Sequence, residues 1–110
     1  MSRFRYALAP LVAILAGGSA FAAADPGPKR QAELLYLLEQ DCGSCHGLTL
    51  KGGLGPPLLP QDLAGKDADG LVDTILYGRP GTPMPPWHVE ISPEEAAWLV
   101  QRLLKGNVGG

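Results

Sequence analysis

Apolar positions along the chain form one unbroken run and three periodic stripes, separated by two stretches that glycine and proline make aperiodic. The run, Tyr6 to Ala16, follows Arg3 and Arg5 and leads to small-x-small sites at Ala20-Phe21-Ala22 and Ala22-Ala23-Ala24, the pattern of a secretory signal peptide. It is short for a membrane span and contains Pro10. The expectation is therefore a cleaved signal over 1–24, export, and no stable membrane association of the remaining domain, 25–110.

The first stripe runs from about Lys29 to Gln40. Leu34, Leu38 and Cys42 stand at i, i+4 and i+8, which predicts a helix entered through Pro28 and running straight into Cys42. Leu35, Tyr36 and Leu37 widen the stripe, so a second helix is expected against it. The second stripe, from Asp67 or Asp69 to Tyr77, places Leu71, Val72, Ile75 and Leu76 on one face, with aspartates at its start and Gly78 at its end. The third opens on Ser92-Pro93-Glu94-Glu95, a capping box with proline at the first helical position. It continues through Ala96, Leu99, Val100, Leu103 and Leu104 to Gly106, and Trp98 at its border is expected against the first helix. No strand pattern competes, so the fold class is all-α, with about three to four helices.

The two aperiodic stretches carry the chemistry. The first begins at Cys42-Gly43-Ser44-Cys45-His46, which holds both cysteines and one of the two histidines of the chain. A C-x-x-C-H run is the attachment signal for a c-type haem, two thiols adding to the porphyrin and the histidine ligating iron. Positions 42, 45 and 46 share one helix face, so all three groups meet one side of a flat cofactor. A disulfide across so small a loop stabilises little. A zinc site lacks two further Cys or His ligands, and a thioredoxin-like pair lacks its βαβ setting.

After His46 the chain is loop. Gly47, Gly52, Gly53, Gly55, Pro56, Pro57 and Pro60 imply a segment wrapped on the cofactor edge, with Leu54, Leu58 and Leu59 as apolar contacts. A ligating histidine needs an acceptor for its second ring nitrogen, and the Gly55-Pro56-Pro57 carbonyls offer one. In the second stretch, Arg79 to His88, Met84 lies among prolines that leave the backbone little freedom. That support suits a thioether reaching iron, with His88 as the rival ligand.

Size and charge narrow the function. Residues 25–110 carry seven Lys and Arg against eleven Asp and Glu, a net charge of −4, which disfavours nucleic acid as a partner. A domain of this size has a marginal core, and a covalently held haem would add to it.

The haem motif after an N-terminal helix, Gly55-Pro-Pro-Leu58, and the loop around Met84 together resemble the class I monohaem cytochromes c. More narrowly, Asp41 to Gly47, Gly52 to Pro56, Ile75 to Trp87 and Trp98 are similar to the NirC-type cytochromes c-55X of denitrification clusters. The resemblance implies one haem c bound through Cys42 and Cys45, His46 as proximal ligand, Met84 as distal ligand and the Pro56 carbonyl as acceptor for His46. It implies a periplasmic electron carrier that delivers electrons to cytochrome cd1 nitrite reductase. With two protein ligands leaving no open site, the expectation is a carrier and not an enzyme, monomeric, fed by a quinol-linked donor, with Leu54 and Leu59 in the docking surface. The alternative is a maturation factor that binds or relays haem d1 or its precursor. One departure is Leu34, where many family members carry a small residue at the crossing of the first and last helices.

Overall fold

The computed structural model describes residues 25–109 and Pro10, so the expected signal segment otherwise lies outside the described residues. Helix α1 (Pro28–Leu37) passes into a π-helical turn (Leu38–Cys42) and then a single α-turn, α2 (Gly43–His46), making one continuous rod. A short α3 (Pro60–Leu63), α4 (Ala68–Tyr77) and α5 (Pro93–Lys105) follow. The described residues thus form four helical segments and no strand.

Helices α4 and α5 start where side chains supply partners for free amides of the first turn, whereas α1 starts on proline without a side-chain cap. Pro28 opens α1, and the Gln31 amide donates to Gly27 O at 2.9 Å. The Asp67 carboxylate accepts from the Gly70 amide at 3.1 Å at the head of α4. At α5 the capping box closes in both directions: Glu95 N donates to Ser92 Oγ at 3.2 Å, and Ser92 N donates to Glu95 Oε1 at 3.0 Å. Gly106 ends α5 with φ +70°, a left-handed conformation that costs glycine little.

The core is a cluster to which Leu34, Leu38, Leu76, Ala96, Leu99 and Leu103 contribute. Leu34 on α1 and Ala96 on α5 are both fully buried members of this cluster, so the full-size side chain at position 34 is accommodated in the core. Arg30 fastens the same two helices. Its guanidinium forms an ion pair with Glu95, donates to the Glu90 carbonyl at 2.8 Å and reaches Glu33 at 3.1 Å. The pair holds the Glu95 carboxyl well below its usual range, at about 2. Because Glu95 also caps α5, one carboxylate orders both the helix start and its attachment to α1.

Three expectations are corrected. The first helix does not run to Cys42 as plain α-helix, because the π turn inserts a residue between the stripe and the haem motif. Tyr36 is 68% exposed, while its neighbours Leu35 and Leu37 are partly buried against the core, so the stripe is narrower than expected. The short α3 was not anticipated. Its signals are Pro60 at the first position and Asp62, whose carboxylate accepts from Leu59 N at 3.1 Å. Trp98 is partly buried against the core cluster, with the Arg102 guanidinium 5.1 Å from its ring centroid.

Candidate functional site

Cys42 is the last residue of the π turn, and the single turn of α2 carries Cys45 and His46 immediately after it. All three side chains are half-buried, and both thiols are free. Burial, aided by the charge of Asp41, pushes the Cys42 thiol up to about 11, so it stays neutral. Ser44 Oγ donates to Asp41 O at 2.7 Å across the turn.

The loop after His46 folds back onto the motif through its backbone. Gly52 N donates to His46 O and Gly55 N to Cys45 O, each at 2.8 Å. Leu50 is the one non-glycine among the described residues with positive φ, at 60°, and its buried side chain ties this strained loop into the core. The refolded loop brings Pro56 O to 2.7 Å from His46 Nδ1. A carbonyl only accepts, so Nδ1 is the donor in this pair, and Nε2 is left with its lone pair free. Gly55 lies under the ring. A Cβ there would stand 2.8 Å from His46 Cε1 and 2.9 Å from Nδ1.

Met84 sits on a separate support at the end of α4. Its amide donates to Thr82 Oγ1 at 3.3 Å, and its carbonyl accepts from Arg79 N at 3.2 Å. Thr82 Oγ1 donates in turn to Arg79 O at 2.6 Å. Beyond Met84, Trp87 N donates to Ile75 O at 3.0 Å and His88 N to Leu76 O at 3.1 Å, which satisfies carbonyls that the last turn of α4 leaves open. Met84 is half-buried, whereas His88 is exposed and its ring lies 6.2 Å from that of Tyr77. The structure therefore places Cys42, Cys45 and His46 in consecutive turns and bonds His46 to Pro56, while Met84 stands on its own loop, held by Thr82 and Arg79.

Sequence reasoning missed Gly55 as the floor of the imidazole, and Gly78 and Thr82 as supports of Met84. A threonine two residues before Met84 in a Gly-Pro loop is a turn signal that identifies Thr82. Leu58 and Leu59 pack against the core, while Leu54 is 77% exposed and makes no such contact.

The chain matches the family described as Cytochrome C oxidase, cbb3-type, subunit III, over residues 29–101. It is 58% identical to cytochrome c55X of Pseudomonas aeruginosa over 83 residues, covering 76% of this chain and 70% of that one. This chain belongs to the cytochrome c55X family. A solved c-type cytochrome NirC superposes with a TM-score of 0.75 at 56% identity, over 77% of this chain and all of the other. Dihydro-heme d1 dehydrogenase of Pseudomonas aeruginosa is 41% identical over 71 residues, which cover 64% of this chain and 13% of that much longer protein.

Cytochromes of the c55X type carry covalent haem c, and the residues present fit that group. Two free thiols precede a histidine whose one nitrogen is committed and whose other is open. A side chain larger than hydrogen at position 55 would fill the space that the imidazole occupies. In this c55X-type chain the thiols of Cys42 and Cys45 would hold the porphyrin and His46 the iron. No helix among the described residues is long and apolar enough to cross a membrane.

Proposed function

We propose that this chain is a periplasmic monohaem electron carrier that passes single electrons to cytochrome cd1 nitrite reductase, with His46 and Met84 as the residues that would hold the haem iron. The observation that carries the reading is the His46 Nδ1 bond to Pro56 O, which fixes ring orientation and basicity and presents Nε2 to a metal. Bound haem c supplies a one-electron iron couple. Cys42 and Cys45 anchor it, Met84 offers a neutral sulfur on a braced loop, and this donor set favours a raised reduction potential. With imidazole and thioether both supplied by the chain, bound iron would have no position open for substrate, which favours transfer over catalysis. The exposed Leu54 provides apolar surface of the kind a small, short-lived electron-transfer contact uses.

The similarity to part of dihydro-heme d1 dehydrogenase supports a second reading, a maturation factor that relays haem d1 or its precursor. Mixing pre-reduced holoprotein with cytochrome cd1 nitrite reductase, and separately with free haem d1, distinguishes them. Rapid reoxidation by the reductase is expected. Stoichiometric uptake of haem d1 with no electron transfer overturns the carrier reading in favour of maturation.

A further inference from the structure

Gly78 closes α4 with φ +70° and ψ −170°. A Cβ built on it would stand 2.6 Å from the Met84 carbonyl oxygen, 2.8 Å from Pro85 C and 2.9 Å from Pro86 N. All three are backbone atoms, so no flexible side-chain tip can move aside. The missing Cβ lets the Met84 segment lie directly on the helix end, and the bonds from Arg79 N to Met84 O and from Met84 N to Thr82 Oγ1 hold it there. Leu76, two residues earlier on α4, is buried in the core. The seat is therefore rigid.

We propose that Gly78 is a positioning residue for Met84, whose close backbone contact determines how firmly the thioether holds iron against an incoming ligand. The inference rests on the reading of Met84 as the sulfur ligand. A methionine side chain is flexible, so the reach of its sulfur is set by where its backbone is held. A functional group displaced by even ~1 Å through its support loses its working geometry. Thr82 shares the task, since its hydroxyl joins the Arg79 carbonyl to the Met84 amide.

The test uses oxidised holoprotein and two readouts, the sulfur-to-iron charge-transfer band and the affinity for added imidazole. Wild type is expected to show the band. Gly78→Ala is expected to weaken it and to raise imidazole affinity about tenfold, equivalent to about 1.4 kcal/mol. Thr82→Val, at an exposed site, moves both readouts the same way by less, and Thr82→Ser restores them. Gly106→Ala is the control for a positive-φ glycine at a helix end away from Met84. It has the same φ of +70° at the end of another helix, with Pro60 Cγ 3.1 Å from the added Cβ. It is expected to lose stability and leave imidazole affinity unchanged.

If Gly78→Ala does not fold, Thr82→Val carries the test. Wild-type imidazole affinity in both variants, or an equal rise in Gly106→Ala, overturns the proposal. A wild-type protein with no sulfur band instead removes the Met84 assignment on which the inference stands.

Discussion

Gly55 and His46 are in van der Waals contact so close that the space for a Cβ is already taken by the imidazole. Gly55→Ala must therefore shift either the ring or the loop, and overpacking of this kind costs about 1–3 kcal/mol. Movement of the ring also lengthens the bond from Nδ1 to Pro56 O, which makes His46 a weaker donor. The expected outcome is lower thermal stability of the holoprotein together with a higher midpoint potential, read by spectroelectrochemical titration. An unchanged potential would show that the ring does not depend on this support.

The thioether residues are tested by attachment. Cys42→Ala and Cys45→Ala are each expected to yield protein linked through one thiol, visible as a shifted alkaline pyridine spectrum. The double variant is expected to release its haem to acidified acetone. A double variant that retains covalent haem would contradict the assignment of these two thiols.

Arg30 and Glu95 give a pH-dependent test of the α1 to α5 attachment. The Glu95 carboxyl titrates at about 2 when folded, against its ordinary 4.5, because Arg30 binds the charged form. A carboxyl depressed by folding contributes stability that is fully present above pH 4.5 and is lost as pH falls towards about 2. Glu95→Gln should flatten that acid limb relative to wild type. Arg30→Ala should cost about 1 kcal/mol at neutral pH, a modest value because solvent screens a pair this exposed. Chemical denaturation at several pH values measures both.

Leu34 and Tyr36 are two residues apart on α1 and have opposite expected effects. Leu34 is fully buried, so Leu34→Ala leaves a cavity and costs about 2–5 kcal/mol. Tyr36 is mostly exposed, and Tyr36→Ala should change stability by no more than about 0.5 kcal/mol. Thermal melts of the two variants check the contrast.

The helices that end on strong local signals were legible in the sequence. Ser92, Pro93, Glu95 and Gly106 mark α5, and Asp67 and Gly78 mark α4, because capping is decided by residues within one turn. The haem motif was legible too, since its spacing is local. The carbonyl partner of His46 lies ten residues further on and was reached through loop composition and the family resemblance. The π turn has no evident local signal, and the i, i+4, i+8 spacing of Leu34, Leu38 and Cys42 favoured an unbroken α-helix. The seating of Met84 on Gly78 depends on a tertiary approach of two backbones, which periodicity does not record.

The widened turn at Leu38–Cys42 has a consequence for how the cofactor end of this rod is aimed. Each residue of an α-helix advances the azimuth by about 100°. Removing one solvent-facing residue from this stretch, Glu39 for instance, would let the rod close up as ordinary α-helix while keeping Leu34 and the whole C-H-bearing turn chemically intact. The wide turn already absorbs that extra residue, so the two sulfurs and the imidazole would keep their direction relative to Leu34, with the Pro56 loop still bonded to Cys45 and His46. The surplus residue is thus a tolerance in the rod, and a deletion that discards no reactive group is expected to leave the cytochrome its colour.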